Sequence, residues 1–161
     1  MSKTLKIESG TLADQLERSF RGGAWHGPAI TEVLSGVDAG LVRRRPFGGG
    51  HSIFELVGHI GFWMDAASKR IGGAGAEDTD SGWLSTDDGS DEAWDAARQT
   101  LENSYSGLRS AVIALSDEQL DHAISHADPT IRGLLMGILQ HNAYHAGQMM
   151  QILKTVAGKG P

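Results

Sequence analysis

LLMGILQHNAYHAGQMMQILK, residues 134–154, is the stretch that decides the fold, because it predicts a long helix with two histidines on one side. His141 and His145 are four residues apart, so a helix projects both from the same side, one turn above the other. Ile138 shares that side, which indicates that the side faces a core. We expect this helix to run from about residue 128 to about residue 156.

The rest of the chain has similar helical periodicity, and no segment alternates as a half-buried strand does. A seven-residue spacing typical of a seam between bundled helices joins Trp94, Leu101, Leu108 and Leu115. These patterns predict an all-α protein, a four-helix bundle with long inter-helix loops. The other helices are expected over about 10–21, from Pro28, from Ser52 to Gly72, and from Ser90.

Length and composition narrow the class of protein. At 161 residues the chain is expected to form a single domain over residues 1–161. It has no cysteine, which excludes disulfides and thiolate metal sites. The formal charge of −6 argues against nucleic acid as a partner, since the nearest thing to a basic cluster, at residues 43–45, is short. No stretch resembles a signal peptide or a membrane span, so we expect a cytoplasmic protein without a membrane partner.

A third histidine lies in another predicted core helix. His59 flanks an apolar stripe that includes Ile60 and Trp63, where a charged or unpaired imidazole would be costly. Neutral imidazole is a common ligand of zinc, nickel and related ions. His59, His141 and His145 would supply three nitrogen donors and leave a position open, at which a water or a thiol is activated. The alternative is that these histidines are structural and metal-free.

Two polar residues near the histidines are candidates for a supporting role. Gln148 lies three residues beyond His145 and could bond to the second ring nitrogen of a ligand or to bound water. Glu55 lies one turn before His59 and could act as a general base or as an acceptor near the metal. Its spacing from Ser52 also predicts a capping box, and we favour that interpretation.

Several aromatic and histidine residues could line a pocket. Trp25, His26 and His51 form one candidate group, although for His51 we favour a hydrogen-bonding role in the loop before the cap. Trp63 and Trp83 could wall the same pocket. Aromatic residues at helical spacing more often fill a core, so Trp63 is expected to pack there.

Four further residues have weaker signals. Tyr144 points about 100° away from His145 on a helix, so we expect it to pack between helices with its hydroxyl on a backbone acceptor. Gly147 could let another helix approach closely or could simply be a weak point of its own helix. His122 and His126 flank a polar loop and are expected to be solvated.

Three stretches make the chain similar to the DinB/YfiT-like family of metalloenzymes. They are HSIFELVGHIGFW at residues 51–63, the seam between Trp83 and Leu101, and the final helix quoted above. The most specific motif is H-x-x-Y-H-x-G-Q at residues 141–148, and AWHGP at residues 24–28 resembles the opening of one subgroup. The resemblance implies a four-helix bundle of DinB/YfiT-like type that forms a homodimer and binds one zinc or nickel ion through the three histidines.

The resemblance also implies a choice of functions. Better-understood relatives include transferases and isomerases that use a low-molecular-weight thiol such as mycothiol or bacillithiol. A metal-dependent transferase that activates such a thiol towards a small-molecule substrate is therefore the first hypothesis. A metal-dependent hydrolase is the second, and a non-enzymatic stress protein that binds a metal or a small ligand is the third.

Overall fold

The computed structural model describes residues 7–46, 49–74, 83, 87–124 and 130–156. Within those ranges the regular secondary structure is helical, apart from an isolated bridge between Ala123 and Thr130. The prediction of an all-α fold is confirmed. The described elements are α1 (Ile7–Arg21), α2 (Ile30–Leu34), α3 (Ala39–Val42), α4 (Ile53–Ile71), α5 (Asp91–Ala114), a 3₁₀ turn (Glu118–Asp121) and α6 (Ile131–Val156).

The four long helices form a bundle around one apolar core. α4 packs against α5 and α6, and α1 packs against the same two helices from the other side of the core. The predicted seam on α5 faces inwards, since each of its four members is buried: Trp94, Leu101, Leu108 and Leu115. In the described part of the chain, none of the helices is both long and apolar enough to cross a bilayer.

The start of α4 follows from a local sequence signal. The Ser52 hydroxyl accepts a hydrogen bond from the backbone N–H of Glu55 at 3.2 Å. The Glu55 carboxylate accepts the backbone N–H of Ser52 in return, at 2.8 Å. The predicted capping box is therefore confirmed. It fixes where α4 begins, about two turns before His59.

A glycine brings α4 close to α5. A Cβ atom at Gly61 would lie 3.5 Å from the Leu101 Cα atom, which is ordinary van der Waals contact with a neighbouring backbone. A larger side chain would therefore force the two helices apart. This close approach helps to hold α4 in place on one side while α6 packs on another.

The starts of the first and last helices can be compared with their predicted positions. α1 begins at Ile7, three residues before the predicted start. The predicted start of the last helix near residue 128, and His126, lie outside the described residues, and α6 begins at Ile131. His122 is exposed, as predicted.

The early start of α1 has a long-range cause. The Asp117 carboxylate accepts hydrogen bonds from the backbone N–H groups of Ile7, Glu8 and Ser9, at 2.9, 3.1 and 2.9 Å. These groups have no partner inside a helix, so a carboxylate there extends and caps its first turn. The cap comes from the segment that follows α5, more than 100 residues away along the chain.

We predict that Asp117→Ala destabilises the protein in a pH-dependent manner. The backbone hydrogen bonds from Ser9 and Glu8, with that from Ile7, lower the pKa of Asp117 from 3.8 to about 2. A carboxylate with a lowered folded-state pKa stabilises the fold above its unfolded pKa, and loses that effect as pH falls through the folded value. Urea unfolding midpoints should therefore differ most near pH 7, and the difference should narrow between about pH 4 and about pH 2.

Glu118→Ala is the matched control, because Glu118 is an exposed acidic residue in the same turn. It should leave the midpoint close to that of the wild type at every pH. A difference between wild type and Asp117→Ala that stays constant from pH 7 to pH 2 would contradict the assignment of the cap.

Candidate metal centre

The packing of α4 against α6 brings the three predicted histidines together. His59 lies in the middle of α4, and His141 and His145 lie on successive turns of α6. The Nε2 atom of His141 is 3.1 Å from that of His59 and 3.0 Å from that of His145. One ring nitrogen from each histidine lies within 4.8 Å of the other two. His59 and His145 are only 8% and 5% exposed, and His141 is half-buried.

The hydrogen-bond roles around His145 determine which ring nitrogen is free. The Nδ1 atom of His145 is 2.6 Å from the side-chain oxygen of Gln148. An amide oxygen can only accept a hydrogen bond, so Nδ1 carries the hydrogen. The Gln148 amide nitrogen donates in turn to the Tyr144 hydroxyl at 3.0 Å, which keeps the carbonyl pointed at His145. In the neutral ring the lone pair then lies on Nε2 and points into the cluster.

Hydrogen bonds between the rings cannot account for both close contacts of His141. The Nε2 atom of His141 is close to two other Nε2 atoms, yet it carries at most one hydrogen. It can therefore make a normal hydrogen bond to only one of its two neighbours, His59 or His145. A cation placed between the three rings would accept a lone pair from each of them.

The separations also match a coordination sphere. Nitrogen ligands about 2.0–2.1 Å from a shared ion lie about 2.8–3.4 Å apart in octahedral or tetrahedral geometry. The distances of 3.0 and 3.1 Å between the Nε2 atoms fall within that range. The residues present therefore fit a divalent cation with nitrogen ligands, and three protein donors leave at least one position open.

The electrostatic environment favours the neutral form of the rings. Burial lowers the pKa of His141 to about 4, and its neighbours His145 and His59 act in the same direction. Burial also lowers the pKa of His145, although its hydrogen bond to Gln148 opposes this. Both rings are therefore neutral near pH 7, which is the protonation state that binds a metal ion.

Aromatic rings surround His59. Trp83 stacks on the His59 ring with centroids 3.8 Å apart and planes 7° from parallel, and it stacks in the same way on His51 at 3.5 Å. Trp63 meets His59 and His141 edge-on, at centroid distances of 6.2 and 6.4 Å. Trp63 also packs against the core, as predicted. Sequence reasoning offered Trp83 only as a pocket wall, because nothing local indicates that a residue between α4 and α5 returns to His59.

The two predicted supporting residues occupy different positions. Gln148 contacts His145 directly, as its spacing suggested. The Glu55 carboxylate is held at the start of α4, where it accepts from the Ser52 backbone and from Arg45 at 2.6 Å. One oxygen of Glu55 therefore serves the cap, and the other is bound by Arg45.

Two predictions about aromatic residues are wrong. Trp25, expected to line a pocket with His26, is fully exposed, and His26 is exposed beside it. Glycines at 22, 23 and 27 have positive φ and turn this segment sharply between α1 and α2, so Trp25 projects into solvent. Tyr144, expected to pack between helices with its hydroxyl on a backbone acceptor, is 64% exposed, and its hydroxyl accepts a hydrogen bond from the side-chain amide nitrogen of Gln148.

A cavity adjoins the candidate centre. Its volume is about 590 Å³, and its walls include His51 and Gln148, which contact Trp83 and His145 respectively. Gly147 forms part of the wall, and a Cβ atom there would meet nothing within 4 Å, so this glycine does not serve the approach of another helix. The remaining described walls carry no carboxylate, lysine or arginine: Pro46, Gly50, Leu56, Tyr144, Gln151, Ile152 and Thr155.

Comparison with known proteins identifies the family. No curated protein and no solved structure matches the chain. The family model described as the DinB superfamily matches residues 24–149, more than three quarters of the chain, and that range contains all three clustered histidines. The chain therefore belongs to the DinB superfamily.

Proposed function

We propose that this chain is a metalloenzyme that binds one divalent ion through His59, His141 and His145 and activates a low-molecular-weight thiol. The observation that carries the proposal is the convergence of three histidine Nε2 atoms, with neighbouring atoms 3.0 and 3.1 Å apart, in a largely buried cluster. Membership of the DinB superfamily supports the same assignment. Zinc and nickel are the metals that the resemblance to the DinB/YfiT-like family implies, and imidazole nitrogens suit both ions.

The metal ion and the residues around it have different roles. A divalent ion bound there supplies Lewis acidity and lowers the pKa of a thiol or water at its open position. Gln148 keeps His145 in the tautomer whose Nε2 lone pair faces the centre. Trp83 and Trp63 pack on His59, which limits rotation of its ring and excludes water from that side.

The placement of the described carboxylates favours a thiol over water as the nucleophile. In the described part of the chain, the group of potential ligands at the centre contains histidines only. Glu55, the carboxylate considered as a general base, is engaged by Ser52 and Arg45. Coordination acidifies a thiol and a water alike, but hydrolysis at a metal centre commonly uses a general base as well. The chain has no cysteine, so the thiol must come from a separate molecule.

The neighbouring cavity provides room for that molecule. Its volume of about 590 Å³ lies in the range of about 300–1,000 Å³ usual for small-molecule sites. Gln148 belongs both to the cavity wall and to the surroundings of His145. We therefore expect the organic part of the thiol or of its acceptor to occupy this cavity while the sulfur reaches the centre.

The metal assignment predicts a stoichiometric metal that depends on the histidines. Protein purified without a histidine tag, incubated with zinc or nickel and desalted, should retain about one ion per chain by mass spectrometry. His59→Ala and His145→Ala should lose that ion, because two nitrogen donors bind far more weakly than three.

His122→Ala is the control for this measurement, since His122 is exposed in the segment before α6. It should retain the metal of the wild type. A wild type that binds no zinc or nickel, or a His145→Ala variant that binds as much as the wild type, would rule out the centre.

The thiol assignment predicts that a thiol raises the Tm of the metal-loaded protein and that a bulky side chain in the cavity removes this effect. A ligand at 100 times its Kd stabilises a protein by about 2.7 kcal/mol, which for a chain of this size is a rise in Tm of about 5–10 °C. A panel of low-molecular-weight thiols should contain at least one that raises the Tm of the metal-loaded wild type in this way. Gly147→Leu should lose the rise, because its side chain enters the cavity.

Gly137→Leu is the matched control. Gly137 is also an exposed glycine of α6 where a Cβ atom meets nothing within 4 Å, but it does not line the cavity. It should keep the full rise in Tm. If no thiol stabilises the metal-loaded protein, thiol activation is contradicted while metal binding stands.

A further inference from the structure

A buried amide beside the candidate centre is not used by anything described so far. Asn142 follows His141 on α6 and is 0% exposed. Neither its side-chain oxygen nor its side-chain nitrogen has a hydrogen-bond partner, and the same is true of the buried Nδ1 atom of His141. Unpaired buried polar atoms destabilise a fold, so three of them on adjacent residues require an explanation.

The amide lies close to the His141 ring. Burial is the main cause that lowers the pKa of His141, and the side chain of Asn142 opposes it. That opposition is what an amide oxygen produces when it lies beside a ring N–H. No hydrogen bond of good geometry joins the two side chains, however, since the atoms of both remain unpaired.

His145 and Gln148 show how a side-chain amide can orient a histidine. At His145, Nδ1 donates to the Gln148 oxygen, and this leaves the Nε2 lone pair directed at the centre. His141 needs the same tautomer if its Nε2 atom is to bind a cation, and its Nδ1 hydrogen then needs an acceptor. Asn142, the next residue along the helix, carries a buried, unpaired side-chain oxygen.

We infer that Asn142 is a positioning residue for His141, whose Nδ1–H group it accepts through its side-chain oxygen when Nε2 binds the metal. This inference rests on the metal centre proposed above. Through this hydrogen bond the buried amide oxygen gains a partner when the metal is bound. Asn142 therefore destabilises the empty fold and stabilises the loaded one.

These opposite signs distinguish a positioning role from a packing role. Asn142→Leu keeps the approximate size of the side chain and removes both unpaired polar atoms. The metal-free variant, measured with a chelator present, should have a Tm equal to or above that of the wild type. Its Kd for zinc should rise by about 10–100-fold, the usual effect of removing the partner of a metal-binding histidine. A residue needed only for packing would lower the Tm of the metal-free protein.

Two further variants complete the experiment, with zinc affinity measured by competition with a chromogenic chelator. Asn142→Asp retains an acceptor and should bind zinc at least as tightly as the wild type, since carboxylates commonly orient metal-binding histidines. Gln140→Leu replaces an exposed amide on α6 and should change neither the Kd nor the Tm of the metal-free protein.

The outcomes separate this inference from the proposed function. If the wild type binds zinc and Asn142→Leu binds it equally well, the positioning role is overturned and the metal centre stands. Equal weakening in Asn142→Leu and a folded Asn142→Asp also overturns it, because an acceptor then makes no difference. If Asn142→Asp fails to fold, the Asn142→Leu result decides. A wild type that binds no zinc overturns the metal centre and this inference with it.

Discussion

Burial of three imidazoles at the contact between α4 and α6 is the constraint on which the rest of the site depends. An imidazole in an apolar interior is tolerated when it is neutral and its nitrogens are paired. Here burial lowers the pKa of His141 to about 4 and also lowers the pKa of His145, so these two rings are neutral near pH 7. The helices direct three Nε2 atoms to one point, where the Nε2 atom of His141 can make a normal hydrogen bond to only one of its two neighbours. The fold therefore produces a set of donors suited to a cation.

The helical part of this arrangement could be predicted because it depends on short-range patterns. The seven-residue seam from Trp94 to Leu115 identified the buried side of α5, and the Ser52 capping box identified the start of α4. The start of α1 could not be predicted, since the Asp117 carboxylate that caps it is more than 100 residues away. A local pattern contains no information about a hydrogen bond of that separation.

In the site, too, features that depend on short-range spacing could be predicted and features that depend on the path of the chain could not. His141 and His145 could be paired from their spacing on one helix, and Gln148 followed from the same periodicity. Trp83 lies outside the helices, so its stacking on His59 depends on a path that periodicity does not describe. Trp25 was misassigned for a related reason, because the turn that exposes it is set by backbone conformation at glycines. The clustered histidines and Gln148 were therefore predicted well from helical spacing, whereas Trp25, Trp83 and the exposed Tyr144 were not.

X-ray absorption spectroscopy of the zinc- or nickel-loaded protein tests the central claim most directly, because imidazole rings give a distinctive multiple-scattering signal. The account predicts three imidazole nitrogens per metal ion at about 2.0–2.1 Å, together with a ligand that is not imidazole. A spectrum with one imidazole or none, or with oxygen ligands alone, would contradict it.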